Sequence, residues 1–96
     1  MKIDLLDASI QDLIFELQIE DQLAFLKLLK KLYKMTWNQI YVDNGLKWEK
    51  IRSRKGNRGE DLYSIRINQK FRAVVFREND YLCFVSLHPD HDSAYD

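Results

Sequence analysis

The sequence predicts an α+β domain in which two N-terminal helices pack on a twisted antiparallel β-sheet. Two observations carry this. Apolar residues recur at helical spacing within the first 35 residues, whereas 62–67, 71–77 and 81–88 are β-rich runs separated by three-residue gaps. Helices first and a strand meander afterwards is the order of a two-layer fold with its helices on one face of the sheet.

MKIDLL reads as a short first strand. Ser9 and Asp12 read as a capping pair, followed by Ile10, Leu13, Ile14 and Leu17 at i, i+3, i+4 and i+7, which gives a helix ending near Gln18. A second helix is expected over 21–35. Its apolar residues Leu23, Phe25, Leu26, Leu28, Leu29, Leu32 and Tyr33 cover more than one stripe, so it should pack on two partners. One is a sheet; the other is the first helix or a separate chain. Thr36 and Gln39 bracket Trp37 as a capping box for one further turn. Trp37 and Trp48 are expected to be packing residues.

Ninety-six residues form one domain, 1–96, with 46% apolar and 31% charged residues, an ordinary composition for a folded soluble chain. Asp4 and Asp7 interrupt the apolar run a signal peptide needs, and no stretch approaches a membrane span, so a cytoplasmic protein without membrane contact is expected. The single cysteine, Cys83, excludes an intrachain disulfide.

Net charge is zero but unevenly spread: −2 over residues 1–44, +6 over 45–79 and −4 over 80–96. The segment GLKWEKIRSRKGNRGED holds six Lys/Arg and all three glycines, and reads as a strand entering a basic loop. A basic middle in a neutral chain points to one local anion-binding surface, or simply to a solvated loop.

Alternation assigns the strand residues to faces. Tyr63, Ile65, Ile67, Phe71, Ala73, Val75, Tyr81, Cys83, Val85 and Leu87 form an apolar face expected under the helices, with Cys83 a small core residue. Leu62, Ser64, Arg66, Arg72, Val74, Phe76, Leu82, Phe84, Ser86 and His88 form the other. With NQK and END as three-residue hairpin loops, Arg66 sits opposite Arg72, Arg77 opposite Tyr81, and Arg72 beside Ser86, one step from His88. Two arginines directly opposite cost a few tenths to about 1 kcal/mol. Such a pair implies an acidic partner or an anionic ligand, and phosphate suits the guanidinium fork. Asp90 and Asp92 are the alternative partners, and solvation the bland outcome.

The last nine residues, HPDHDSAYD, contain both histidines of the chain. His-x-x-His with two aspartates offers metal-ligand types but no third element to complete a site, so neither a metal nor another cofactor is expected.

LYSIRINQKFRAVVF, a further strand and a histidine-containing tail ending in Ala-Tyr resemble the RelE/ParE superfamily of bacterial toxins, and within it the RelE-type messenger-RNA endoribonucleases. The likeness is best over 45–96. It implies a RelE-like arrangement of a helical pair on a twisted antiparallel sheet, with the active site on the concave sheet face. It further implies ribosome-dependent, metal-independent cleavage of messenger RNA by a toxin of a toxin–antitoxin system, with a cognate antitoxin protein, messenger RNA and the ribosome as partners. By position, Arg66 matches the basic residue of the family's Tyr-x-Ile-basic strand, Arg72 the arginine after the hairpin, and Tyr95 the functional tyrosine near the C-terminus. His88 and His91 fall where relatives carry an arginine or histidine. Arg54, Lys55 and Arg58, with Lys70, fit the RNA-contacting region in general character.

Cleavage by the RNA's own 2′-hydroxyl needs a base, an acid and cations for the phosphoryl oxygens. Histidine suits proton transfer near neutral pH, so His88 or His91 is assigned to it, Arg66 and Arg72 to the phosphate, and Tyr95 to positioning or stacking. The neutral net charge departs from the family's usual basicity. The superfamily also contains ParE-like proteins that inhibit DNA gyrase by contact, which need no proton-transfer group; these, and an inactive protein-binding relative, are the alternatives.

Overall fold

The computed structural model describes residues 1–89. In chain order the elements are β1 (Lys2–Asp4), α1 (Ala8–Glu16), α2 (Ile19–Leu32), α3 (Trp37–Val42), β2 (Glu49–Lys55), β3 (Asp61–Arg66), β4 (Arg72–Glu78) and β5 (Tyr81–His88). The strands form one sheet in the order β1-β5-β4-β3-β2. Consecutive strands from β2 to β5 pair antiparallel, while β1 adds parallel to β5, so the sheet is mixed. The α+β class expected from the sequence is the one observed.

Local chemistry sets the helix ends. Asp7, not Ser9, caps α1: its carboxylate accepts from the Ser9 backbone N–H at 2.8 Å and from the Ser9 hydroxyl at 2.7 Å. A carboxylate placed there also meets the positive end of the helix dipole. α2 starts earlier than expected and ends at Leu32, with Glu20 and Asp21 in its first turn and Lys30 and Lys31 in its last, which suits its dipole. Thr36 and Gln39 form the expected capping box at the start of α3, the Thr36 hydroxyl accepting from Gln39 N–H and the Gln39 side chain accepting from Thr36 N–H.

The helices cover one sheet face. Ile10, Phe25, Leu28, Leu32 and Ile40 meet Ile65, Phe71, Ala73, Val75, Leu82, Phe84 and Leu87 there. The Phe25 and Phe84 rings pack edge to face, 5.3 Å between centroids. Trp37 and Trp48 pack against this core as expected, Trp48 stacking on Tyr63 at 4.5 Å. α2 buries one face only, through Phe25, Leu28 and Leu32. In that core it meets Ile10 of α1 as well as the sheet, while Leu23 and Leu26 are exposed. A smaller cluster of Ile51, Leu62 and Val74, flanked by Phe76 and Val85, lies on the other sheet face.

Two irregularities revise the expected register. The β4–β5 turn holds two residues, Asn79 and Asp80, rather than three, so Glu78, not Arg77, faces Tyr81. Asn79 takes the left-handed conformation, φ 55°, which asparagine tolerates better than most residues. Further along, β5 contains a bulge between Phe84 and Ser86: Val75 pairs with Phe84 but Val74 with Ser86. The first shift inverts the faces of the first half of β5. Leu82 and Phe84 therefore enter the helix-side core, and Cys83 and Val85 stand on the opposite face. The bulge restores the expected faces for Ser86, Leu87 and His88.

Candidate active site

The two shifts add up to two residues, so Arg72 lies opposite His88 rather than Ser86. The NQK hairpin keeps Arg66 opposite Arg72 as expected: Ile67 N–H donates to Phe71 O at 2.8 Å, and Asn68 Oδ1 accepts from the Lys70 and Phe71 amides at 3.1 and 3.0 Å. Arg66, Arg72 and His88 thus form one row across β3, β4 and β5. The next row holds Glu49, Ser64, Val74 and Ser86. Directly paired residues of neighbouring antiparallel strands have Cα atoms about 4.5–5.5 Å apart, so the three functional groups of the first row can converge on one small anion.

All three side chains of the row are half-buried. Arg72 Nε and Nη1 are buried and have no hydrogen-bond partner among the described residues. A permanently charged guanidinium held this way is costly, and an oxyanion presenting two acceptor atoms is the group that would satisfy it. Ser86 Oγ lies 2.7 Å from His88 Nε2, which orients the imidazole from the adjacent row. Arg66, Arg72 and Lys70, with Leu13, Glu16, Leu17, Gln18 and Asp21, line a cavity of about 1120 Å³ between the β3–β4 hairpin and the α1–α2 junction. Among the described residues no ion pair joins Glu16 or Asp21 to these basic residues.

The second basic group is elsewhere. β2 runs antiparallel to β3 and Lys55 faces Asp61, so Arg54, Lys55 and Arg58 gather at the end of β3 remote from Arg66. Five residue steps separate those ends, about 17 Å at strand spacing. Lys55 bonds Asp61, Lys50 lies 3.5 Å from the same carboxylate, and Arg58 is 3.6 Å from both Glu60 and Glu78. The Lys55 ammonium foremost, with Lys50, holds the Asp61 carboxyl below its ordinary pKa. Arg54 Nε is buried without a partner among the described residues, and Arg54 lines a cavity of about 330 Å³ with Lys55, Arg58, Leu62, Phe76 and Val85.

The structure therefore brings Arg66, Arg72, His88 and Lys70 to one end of the sheet and Arg54, Lys55 and Arg58 to the other. His91 and Tyr95, with Asp90 and Asp92, lie outside the described residues. Among the described residues no group of three metal-ligating side chains converges. Sequence reasoning missed the part played by Ser86, because the Ser86-x-His88 spacing places both on one strand face but does not mark them as hydrogen-bonded. Cys83 stands apart from the row. Its buried thiol is pushed up to about 11, by burial foremost and then by the Asp4 carboxylate, 3.8 Å away, which makes it a poor nucleophile. No helix of the described residues is long and apolar enough to cross a membrane.

Comparison of the chain with protein-family models, with curated proteins and with solved structures finds no match.

Proposed function

We propose that the chain is a RelE-type toxin of a toxin–antitoxin system, a ribosome-dependent endoribonuclease that cuts messenger RNA without a metal ion. The observation that carries the reading is Arg72, whose guanidinium Nε and Nη1 are buried and without a hydrogen-bond partner among the described residues, between Arg66 and His88 in one cross-strand row. This is the chemistry that 2′-hydroxyl attack requires. Arg66 and Arg72 bind the non-bridging oxygens of the scissile phosphate and stabilise the charge that grows there as the 2′-oxygen bonds to phosphorus. A proton leaves the 2′-hydroxyl and one is delivered to the departing 5′-oxygen, with His88, oriented by Ser86, serving one of these transfers. His91 and Tyr95 are candidates for the complementary roles. The products are a 2′,3′-cyclic phosphate and a 5′-hydroxyl.

The rest of the open face supports an RNA path. Phe76 and Val85, half-buried over the buried Leu62 and Val74, give an apolar strip between the two basic ends against which bases can lie, while phosphates meet Arg66 and Arg72 at one end and Arg54, Lys55 and Arg58 at the other. A neutral chain gains affinity from such local clusters rather than from an overall field, which fits a protein guided to its RNA by the ribosome. A cognate antitoxin is the expected protein partner, and the cytoplasm the expected compartment.

End-group chemistry tests the reading. Fragments of messenger RNA released during translation with the purified protein should carry 5′-hydroxyls that a kinase labels without prior phosphatase treatment. Fragments carrying 5′-phosphates would refute the mechanism, since they require attack by water rather than by the 2′-hydroxyl.

A further inference from the structure

The outer surface of α2 carries a seam that the fold leaves uncovered. Ile19, Leu23, Leu26 and Tyr33 are 73, 55, 53 and 64% exposed, on the side turned away from the buried Phe25, Leu28 and Leu32. With Lys30 they follow one another at intervals of four, three, four and three residues, the 3.5-residue repeat of a helix-pairing seam. Phe15, at the end of α1, is also 75% exposed. A contiguous apolar stripe on a rigid helix with a charged rim marks an interaction surface.

Charge selects the occupant. Glu16, Glu20 and Asp21 lie toward the N-terminal end of the stripe, and Lys27, Lys30 and Lys34 toward the other, while Lys31 is held by Asp43 at 3.1 Å. A second α2 laid parallel would bring the two lysine-rich ends together. Laid antiparallel, it sets each acidic end against a basic one.

We propose that this face is the interface of a twofold-symmetric dimer of the chain, in which two copies of α2 pack antiparallel about Leu26. Leu26 then meets its own symmetry mate, Ile19 meets Tyr33 of the second copy, and Lys30 lies over Leu23 of the second copy with its ammonium toward that copy's Glu20. The interface is isologous and closed. Lysine in the seam weakens the pairing but sets its register, and the seam spans one helix of about 21 Å, so the dimer is micromolar rather than nanomolar.

Sedimentation of the full chain across micromolar concentrations tests the proposal. The wild type should pass from monomer to dimer, and Leu26→Glu, which sets two carboxylates together on the twofold axis, should weaken association about a hundredfold or more. Glu20→Lys should weaken it as well, and Glu20→Lys with Lys30→Glu should restore it. Under mild oxidation Leu26→Cys should form a disulfide-linked dimer and Ile19→Cys should not, a readout that does not depend on the folding of the charged variants. A wild type monomeric throughout, a dimer indifferent to Leu26→Glu, or crosslinking through position 19 as readily as through 26 would each overturn the proposal. So would a monomer that captures a different protein's helix through the same leucines.

Discussion

Arg72 lies directly across from His88, with Arg66 on its other side, and its Nε and Nη1 find no partner among the described residues. A buried, unpaired donor costs about 1–3 kcal/mol, and directly opposed like charges add a few tenths to about 1 kcal/mol. Arg72→Met keeps most of the stem and removes both penalties. It should abolish RNA cleavage while raising stability by about 1 kcal/mol, a rise in Tm of roughly 4–8 °C for a domain of this size. Thermal melts followed by circular dichroism read this directly. A variant that is less stable than the wild type would show that the guanidinium is satisfied in the folded protein.

Ser86 holds His88 through a 2.7 Å hydrogen bond from the neighbouring row. Ser86→Ala should lower the cleavage rate about tenfold by releasing the imidazole, with little change in KM, whereas Ser86→Thr should retain most of the rate. Equal losses in both variants would assign the effect to the shape of the strand end rather than to the hydroxyl.

Asp43 ends α3 by accepting the Leu46 backbone N–H at 2.9 Å and the Lys31 ammonium at 3.1 Å. The Leu46 bond foremost, with Lys31, holds its carboxyl below the ordinary value of 3.8. A depressed carboxyl pKa stabilises the fold above the unfolded-state value and loses that contribution as pH falls through the folded-state value. Asp43→Ala should therefore lower Tm most near neutral pH, and the deficit should narrow in strong acid. A deficit independent of pH would remove the electrostatic account.

Cys83 is 6% exposed with a thiol pushed up to about 11. Iodoacetamide at mildly alkaline pH should leave it unmodified in the native protein and label it fully in denaturant, with activity unaffected by the native treatment. Rapid native labelling would contradict the burial.

Much of the fold was legible in local patterns. Thr36 with Gln39 announces the start of α3, and the NQK hairpin fixes Arg66 opposite Arg72, because both depend on residues a few positions apart. The start of α1 was misplaced by two residues, since Asp7 and Ser9 are both good caps and only the backbone path decides between them. The β5 register was misjudged for a different reason. In LCFVS the apolar side chains are consecutive, so alternation alone fits either face, and a bulge leaves no trace in such a run. The turn shift and the bulge together displace the register by two, which is why the face of His88 was predicted correctly and its partner was not. Ser86 and the packing of Phe84 on Phe25 depend on that bulge and were out of reach.

Mapping messenger-RNA 5′ ends in a cell-free translation reaction, with the wild-type protein and with Arg66→Ala, tests the central claim most directly. The account predicts new ends that appear only while ribosomes translate and that vanish in the variant, which should fold as the wild type does because Arg66 is half-buried at a strand end. Intact messenger RNA with undiminished protein synthesis would contradict it, and would move the row of Arg66, Arg72 and His88 from catalysis to binding.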